Sequence, residues 1–270
     1  MKLLQYNILD GCQDAGRFAR LSAWISAQTY DIICFNELNG WSDDELQKQA
    51  EDWGFSYSWL FQMKKSRYFI GVVSKFPIEV IEQSETGWYH GLLHVRIHGV
   101  HLLIAHLSSA SAKERQFEAK LIIKRLKKVE LANEPLALIG DLNTLSPADN
   151  AIYESNQLVR QLVQDEFLNR KFLDNEEINY RPIQILLDAG LIDAAIHRDL
   201  PFQSSVPTLI NKDKMHAAEL RLDYALVNAI LNERHPVARI ICDEYTDMLS
   251  DHYPLECCWQ NNYIDGTKDS

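Results

Sequence analysis

Leu136-Ala137-Leu138-Ile139-Gly140-Asp141-Leu142-Asn143 is the stretch on which the reading of this chain turns. Four apolar residues in a row suit a buried strand, and the run stops abruptly at Gly140, Asp141 and Asn143. Working outward, the same arrangement recurs. Residues 2–6 read as a short strand that delivers Asn7, and the apolar run 31–35 ends at Asn36-Glu37. Residues 101–105 deliver His106. Arg221-Leu222-Asp223-Tyr224 opens another strand, and Ser250-Asp251-His252-Tyr253-Pro254 precedes the last one. A single polar residue at a strand end is ordinarily a turn or cap. Six such placements in one chain point to one site built at the ends of strands.

The residue types cohere chemically. Asn7, Glu37 and Asp251 are oxygen ligands of the kind that hard divalent cations such as Mg²⁺ prefer. Asp141 and Asn143 suit an attacking water and a phosphate oxygen. His106 and His252 suit donation of hydrogen bonds or protons, and Asp223 suits the orientation of His252.

Between these points the chain reads as one domain over 1–260 and a tail over 261–270. Helices are expected over 17–28, 43–53 and 112–129, the last with Phe117, Leu121, Ile122, Leu126 and Val129 on one face. Further strands are expected over 69–73, 78–82, 91–98, 136–139, 222–227, 237–242 and 254–259, and a polar helical stretch over about 147–190. Strands in the first and last parts with helices interspersed imply sheets packed face to face with helices outside. The 143–221 stretch exceeds a plain connection. Ile183, Leu186, Leu187 and Leu191 mark part of it as core, and Arg181, Lys214 and His216 are candidates for phosphate or headgroup contact.

Composition sets the bounds. The 270 residues are 46% hydrophobic and 24% charged, which excludes a disordered chain, and the net charge of -11 disfavours strong nonspecific binding to phosphate backbones. No apolar run approaches the ~20 residues of a membrane span. MKLLQYNILDG lacks the h-region of a secretory signal, so a cytoplasmic location is expected. Five cysteines without a CxxC spacing read as free thiols.

Two clusters invite misreading. His90, His94, His98 and His101 lie close together, but Arg96 between His94 and His98 argues against a metal, and a solvated strand face is expected. The seven basic residues of 113–128, namely Lys113, Arg115, Lys120, Lys124, Arg125, Lys127 and Lys128, read as the charged outer face of an amphipathic helix.

The ordered motifs QYN, FNEL, AHLS, GDLN, RLDY and SDHYP, spanning residues 5–254, resemble the endonuclease/exonuclease/phosphatase superfamily. Its members include pancreatic-type deoxyribonucleases, abasic-site endonucleases, inositol-polyphosphate phosphatases and neutral sphingomyelinases. The resemblance implies an α+β fold, a four-layer α/β/β/α sandwich of two mixed sheets with outer helices. It implies that Asn7 and Glu37 hold the metal with Asp251 completing its environment, and that Asp141 positions or deprotonates water. Asn143 would bind the scissile phosphate or help at the metal. His252, paired with Asp223, would stabilise the transition state, and His106 would sit near the phosphate. Arg221 reads as a structural pairing residue. One departure stands out: pancreatic-type nucleases carry a glutamate that partners the histidine matching His106, and here Ser66 or a neighbour takes its place.

The resulting expectation is a Mg²⁺-dependent hydrolase of phosphate esters, with Mn²⁺ as substitute, acting as phosphodiesterase or phosphatase on a small or lipid-headgroup substrate. Its rivals are an endonuclease or exonuclease on DNA or RNA, and a non-catalytic binding module on the same fold. No protein partner is expected.

Overall fold

The computed structural model describes residues 1–196, 201–210 and 218–261. The strands, in chain order, are β1 (Lys2–Asn7), β2 (Ile32–Asn36), β3 (Tyr57–Phe61), β4 (Ile70–Ser74), β5 (Ile78–Ser84), β6 (Leu92–Ile97), β7 (Val100–His106) and β8 (Leu136–Asp141), then the short β9 (Leu173–Asp174), β10 (Glu177–Ile178) and β11 (Ile192–Asp193), and finally β12 (Asp223–Val227), β13 (Val237–Ile240) and β14 (Leu255–Cys258). The α-helices are α1 (Ala15–Ser26), α2 (Asp43–Asp52), α3 (Ala112–Leu131), α4 (Asn150–Ser155), α5 (Leu158–Leu162), α6 (Glu166–Phe172), α7 (Arg181–Asp188) and α8 (Ala229–Asn232).

Two six-stranded mixed sheets result, ordered β13-β14-β1-β2-β4-β3 and β11-β12-β8-β7-β6-β5. Each holds one parallel pair, β1 with β2 and β7 with β8. The apolar runs explain the stacking. Leu3, Ile32, Cys34 and Val72 of the first sheet meet Leu93, Val95, Ile104, Ile139 and Ala225 of the second in one buried core. The opposite face of the first sheet, with Tyr6, Ile33 and Phe35, packs on Leu21, Trp24, Leu46 and Ala50 of α1 and α2. The opposite face of the second, with Leu103, Leu138 and Tyr224, packs on Ile122, Leu126, Ile183 and Leu186 of α3 and α7. The order helix, sheet, sheet, helix is the expected four-layer sandwich. A fourth cluster around Tyr153, Leu162, Leu168, Phe172 and Leu222 gathers the insertion after β8. Within it the expected helical stretch is broken by the β9–β10 hairpin.

Three expectations are corrected. The β3 strand falls within the stretch 55–106, which the sequence reads as mostly β, but its own bounds go unread because its exposed Tyr57 and Trp59 blur the pattern. In α3, Phe117 points outward and Leu121 is half-buried, while Arg115 and Glu118 turn inward. Helical spacing puts 112, 115, 119, 122, 126 and 129 on one stripe, and the inward polar groups find backbone partners. Arg115 donates to the Ser108 and Lys171 carbonyls, and Glu118 accepts from the Tyr89 and Ser108 N–H groups. His94 and His101 are buried rather than solvated: their rings are hydrogen-bonded at 2.8 Å, and His101 pairs with Glu134 at 2.7 Å. His98 is exposed as expected. No helix among the described residues is long and apolar enough to cross a membrane.

Candidate active site

The carboxyl ends of β1, β2, β7 and β8 converge at one edge of the sandwich. Gly140 permits the approach of β7 and β8: its φ is +148°, and a Cβ there would lie 1.8 Å from the Ala105 carbonyl oxygen. Asp141 follows, buried, its backbone N–H donated to Asn36 Oδ1 at 3.0 Å. Asn36 also donates to the Ala105 carbonyl and accepts from Gln5, so its amide ties the two sheets together beneath the site.

Around Asp141 Oδ2 stand Asn7 Nδ2 at 3.3 Å, His106 Nε2 at 3.5 Å and His252 Nε2 at 3.7 Å. Asp141 Oδ1 accepts the Asn143 N–H at 2.9 Å, which pins the loop where Asn143 adopts φ 48°. The Asn143 amide donates to the Leu107 carbonyl. On the far side of His252, Nδ1 donates to Asp223 Oδ2 at 2.7 Å. Burial opposes charging of His252, but Asp223, Asp141 and Asp251 outweigh it and raise its pKa to about 10. A buried imidazolium flanked by carboxylates results.

His106 behaves oppositely. Burial, then the charges of His252 and Lys171, push it down to about 3, so it is neutral at pH 7. Its ring stacks on His90, with centroids 4.3 Å apart at 26°. Ser66 does not partner His106: its hydroxyl bonds His90 Nδ1 at 3.0 Å. Tyr68 packs edge-on against both rings. His90 therefore belongs to the site's wall, which sequence spacing alone does not reveal.

Glu37 completes the arrangement at a left-handed φ of 64°, where a bulky residue is disfavoured. The Asp10 N–H and the Asn7 amide hold its two oxygens at 2.9 and 3.2 Å. Burial, then nearby Asp251, lifts its pKa to about 7 against those hydrogen bonds. Asp251 is itself buried beside the Ser250 hydroxyl. The two carboxylates are hard oxygen donors of the kind a divalent cation takes, whereas Asn7 turns its Nδ2 toward Glu37 and Asp141 and its Oδ1 accepts the Leu9 N–H. Asp141, Asp223 and His252 also bring ligand-type atoms within 4.8 Å of one another. There, His252 Nδ1 is committed to Asp223, and the Glu37 and Asp251 carboxylates are the further groups that could hold a cation.

Two expected residues lie apart. Arg181 is exposed at the start of α7, where its guanidinium sits 3.6 Å from Asp188, and among the described residues it makes none of the contacts that join the others. His216 and Lys214 lie outside the described residues. Arg221 is buried between Asp149 and Asp193, at 2.9 and 2.7 Å, in the pairing role expected of it.

Two stacked mixed sheets with a buried acid–histidine group at one edge define the class of deoxyribonuclease-like phosphoesterase folds. The chain belongs to the Endonuclease/Exonuclease/phosphatase family, whose model matches residues 4–252. No curated protein matches it. Among solved structures it resembles the 3′-5′ exonuclease NExo from Neisseria meningitidis (TM-score 0.68, 16% identity), the Neisseria 3′ phosphatase NExo bound to product DNA hairpin (0.71, 18%) and an AP endonuclease from Archaeoglobus fulgidus (0.66, 16%). Each likeness covers 97% of this chain and 100% of the other, and establishes the shared fold.

Proposed function

We propose that this chain is a divalent-cation-dependent hydrolase of phosphoester bonds in nucleic acid, acting by in-line attack of water. The observation that carries the reaction is the buried relay Asp223–His252–Asp141 beside the Glu37–Asp251 pair. The choice of nucleic acid rests on family membership and on the activities named for the structural relatives. The small or lipid-headgroup substrate expected from the net charge of -11 gives way to it. Net charge is a property of the whole surface, whereas binding responds to the charges beside the site.

In this reading Asp141 orients the water and takes its proton, held by the Asn143 N–H and the Asn7 amide. The His252 imidazolium faces the charge that develops on the phosphoryl oxygens, and Asp223 keeps it charged and oriented. Neutral His106 donates a hydrogen bond rather than a proton. Asn143 binds the phosphate only by releasing the Leu107 carbonyl. Glu37 and Asp251 would hold the cation, Mg²⁺ or Mn²⁺, with Asn7 joining them only by freeing its Oδ1 from the Leu9 N–H; when bound, the cation would neutralise phosphoryl oxygen charge. A silent binding module has no need of this charged, buried set.

The test is a screen with and without chelator, across 3′-phosphorylated, abasic and unmodified oligonucleotides, phosphoinositides, sphingomyelin and small diesters. Metal-dependent release from oligonucleotides is expected. Exclusive turnover of lipid or small esters would reject the substrate choice, and activity in excess chelator would reject the mechanism.

A further inference from the structure

We propose that the groove between α3 and the 87–89 segment binds unpaired nucleic acid running off the active site, its bases stacking on Tyr89 and Phe117 and its phosphates meeting Lys113 and Lys120. The inference rests on the nucleic-acid reading above and names a subsite for it.

The groove encloses about 620 Å³ and is lined by Gly87, Trp88, Tyr89, Phe117 and the lysines Lys113 and Lys120, with Gln116 and the carboxylates Glu114 and Glu118 also on its wall. Phe117 is 54% exposed and Tyr89 47% exposed. Two large aromatic rings exposed side by side in one groove make an apolar patch of the kind that marks a contact surface. Gly87 makes the shape: a Cβ there would come within 3.2 Å of the Phe117 ring, so the missing side chain lets the ring lie over the backbone. The floor is rigid, because Glu118 beneath it accepts the Tyr89 and Ser108 N–H groups.

Charge and continuity choose the occupant. Lys113 and Lys120 are in no ion pair among the described residues, whereas the neighbouring Glu114 is tied to the Ser108 and Ser111 hydroxyls. Cations are thus left available in a chain of net charge -11. The groove also joins the active site ring by ring: Tyr89 packs edge-on against His90 at 4.6 Å, and His90 stacks on His106, which faces Asp141. Exposed π-faces beside lysines are the composition of single-strand platforms. Paired bases in a duplex do not offer their faces to such rings.

The experiment measures binding of fluorescein-labelled oligo(dT), and of a blunt DNA hairpin, to the full chain in chelator, alongside turnover of the oligonucleotides with Mg²⁺. Phe117→Ala and Tyr89→Ala should each weaken oligo(dT) binding about tenfold. Leu131→Ala, an exposed apolar change elsewhere on α3, should not. Lys113→Gln and Lys120→Gln should each flatten the log–log salt dependence by ~0.7. Wild-type affinity for oligo(dT) in both ring variants, or tighter binding of the hairpin than of oligo(dT), would overturn the groove while leaving oligonucleotide turnover to judge the enzyme. Ring-dependent binding without any oligonucleotide turnover would support the groove and reject the catalytic reading.

Discussion

Three polar groups face one oxygen of Asp141: an amide, a neutral imidazole and an imidazolium. In the proposed mechanism Asp141→Asn replaces the proton acceptor with an amide of the same shape, and His252→Ala removes the charge that would face the phosphate. Each should lower turnover about a hundredfold or more in steady-state kinetics, while His98→Ala, exposed and remote from the relay, should stay near wild type. Glu37→Gln should demand more metal for the same rate. His94 gives a stability prediction of a different kind. Burial, then His101, lowers its pKa to about 4, with Glu82, Arg125 and Lys128 facing it from β5 and α3. A histidine kept neutral in the fold contributes stability that is fully present above its unfolded pKa of about 6.5, and that is lost as pH falls toward 4. The loss attributable to His94 is of order 3 kcal/mol by pH 4. Glu118 and Glu37, raised to about 7, carry the opposite sign between pH 7 and 4.5. His94→Gln should therefore lose less stability than wild type between pH 7 and 5 in urea titrations. An unchanged pH dependence would contradict the buried, neutral assignment.

At the level of elements, β8 is the most constrained piece. Its Gly140 meets the β7 backbone, and any side chain there must push the two parallel strands apart. Gly140→Ala should cost several kcal/mol in denaturant unfolding, and the surviving folded fraction should turn over slowly because Asp141 moves with the strand. Helix α2 offers a graded comparison. Ser42 and Glu45 form a reciprocal cap, so Ser42→Ala should cost about 1 kcal/mol with no change in turnover. The strands that carry Asn7, Glu37, His106 and Asp141 were legible because an unbroken apolar run must be buried, and the polar residue ending it must sit at the sheet's edge. The face of α3 was legible only in part. Periodicity identifies a stripe, but a rule that places apolar residues inside cannot anticipate Arg115 and Glu118, whose burial depends on carbonyl and N–H partners far along the chain.

For the molecule as a whole, a cation at Glu37 and Asp251 must stabilise the folded state by mass action, since the unfolded chain does not assemble the site. Mg²⁺ at a hundredfold over its dissociation constant contributes ~2.7 kcal/mol. At ~2–4 °C per kcal/mol, the melting temperature should rise by several degrees in wild type and much less in Glu37→Gln. An equal rise in both would place the cation elsewhere. Stacked apolar strands and the polar residues that end them are legible in consecutive residues, and the ordered motifs, through the family they resemble, name Asn7, Glu37, Asp141, Asp223, Asp251 and His252 as candidates for one site, which the fold brings to one edge. Apolar period and local motif are properties of consecutive residues, so they survive without the fold. Tertiary structure alone decided that His90 stacks on His106, that Asn36 joins the sheets under Asp141, and that His94 and His101 are buried while Phe117 and Tyr89 face water. These are relations between residues distant in sequence. They depend on how strands and helices pack against one another, and on which polar groups meet a partner there, which no stretch of sequence carries on its own.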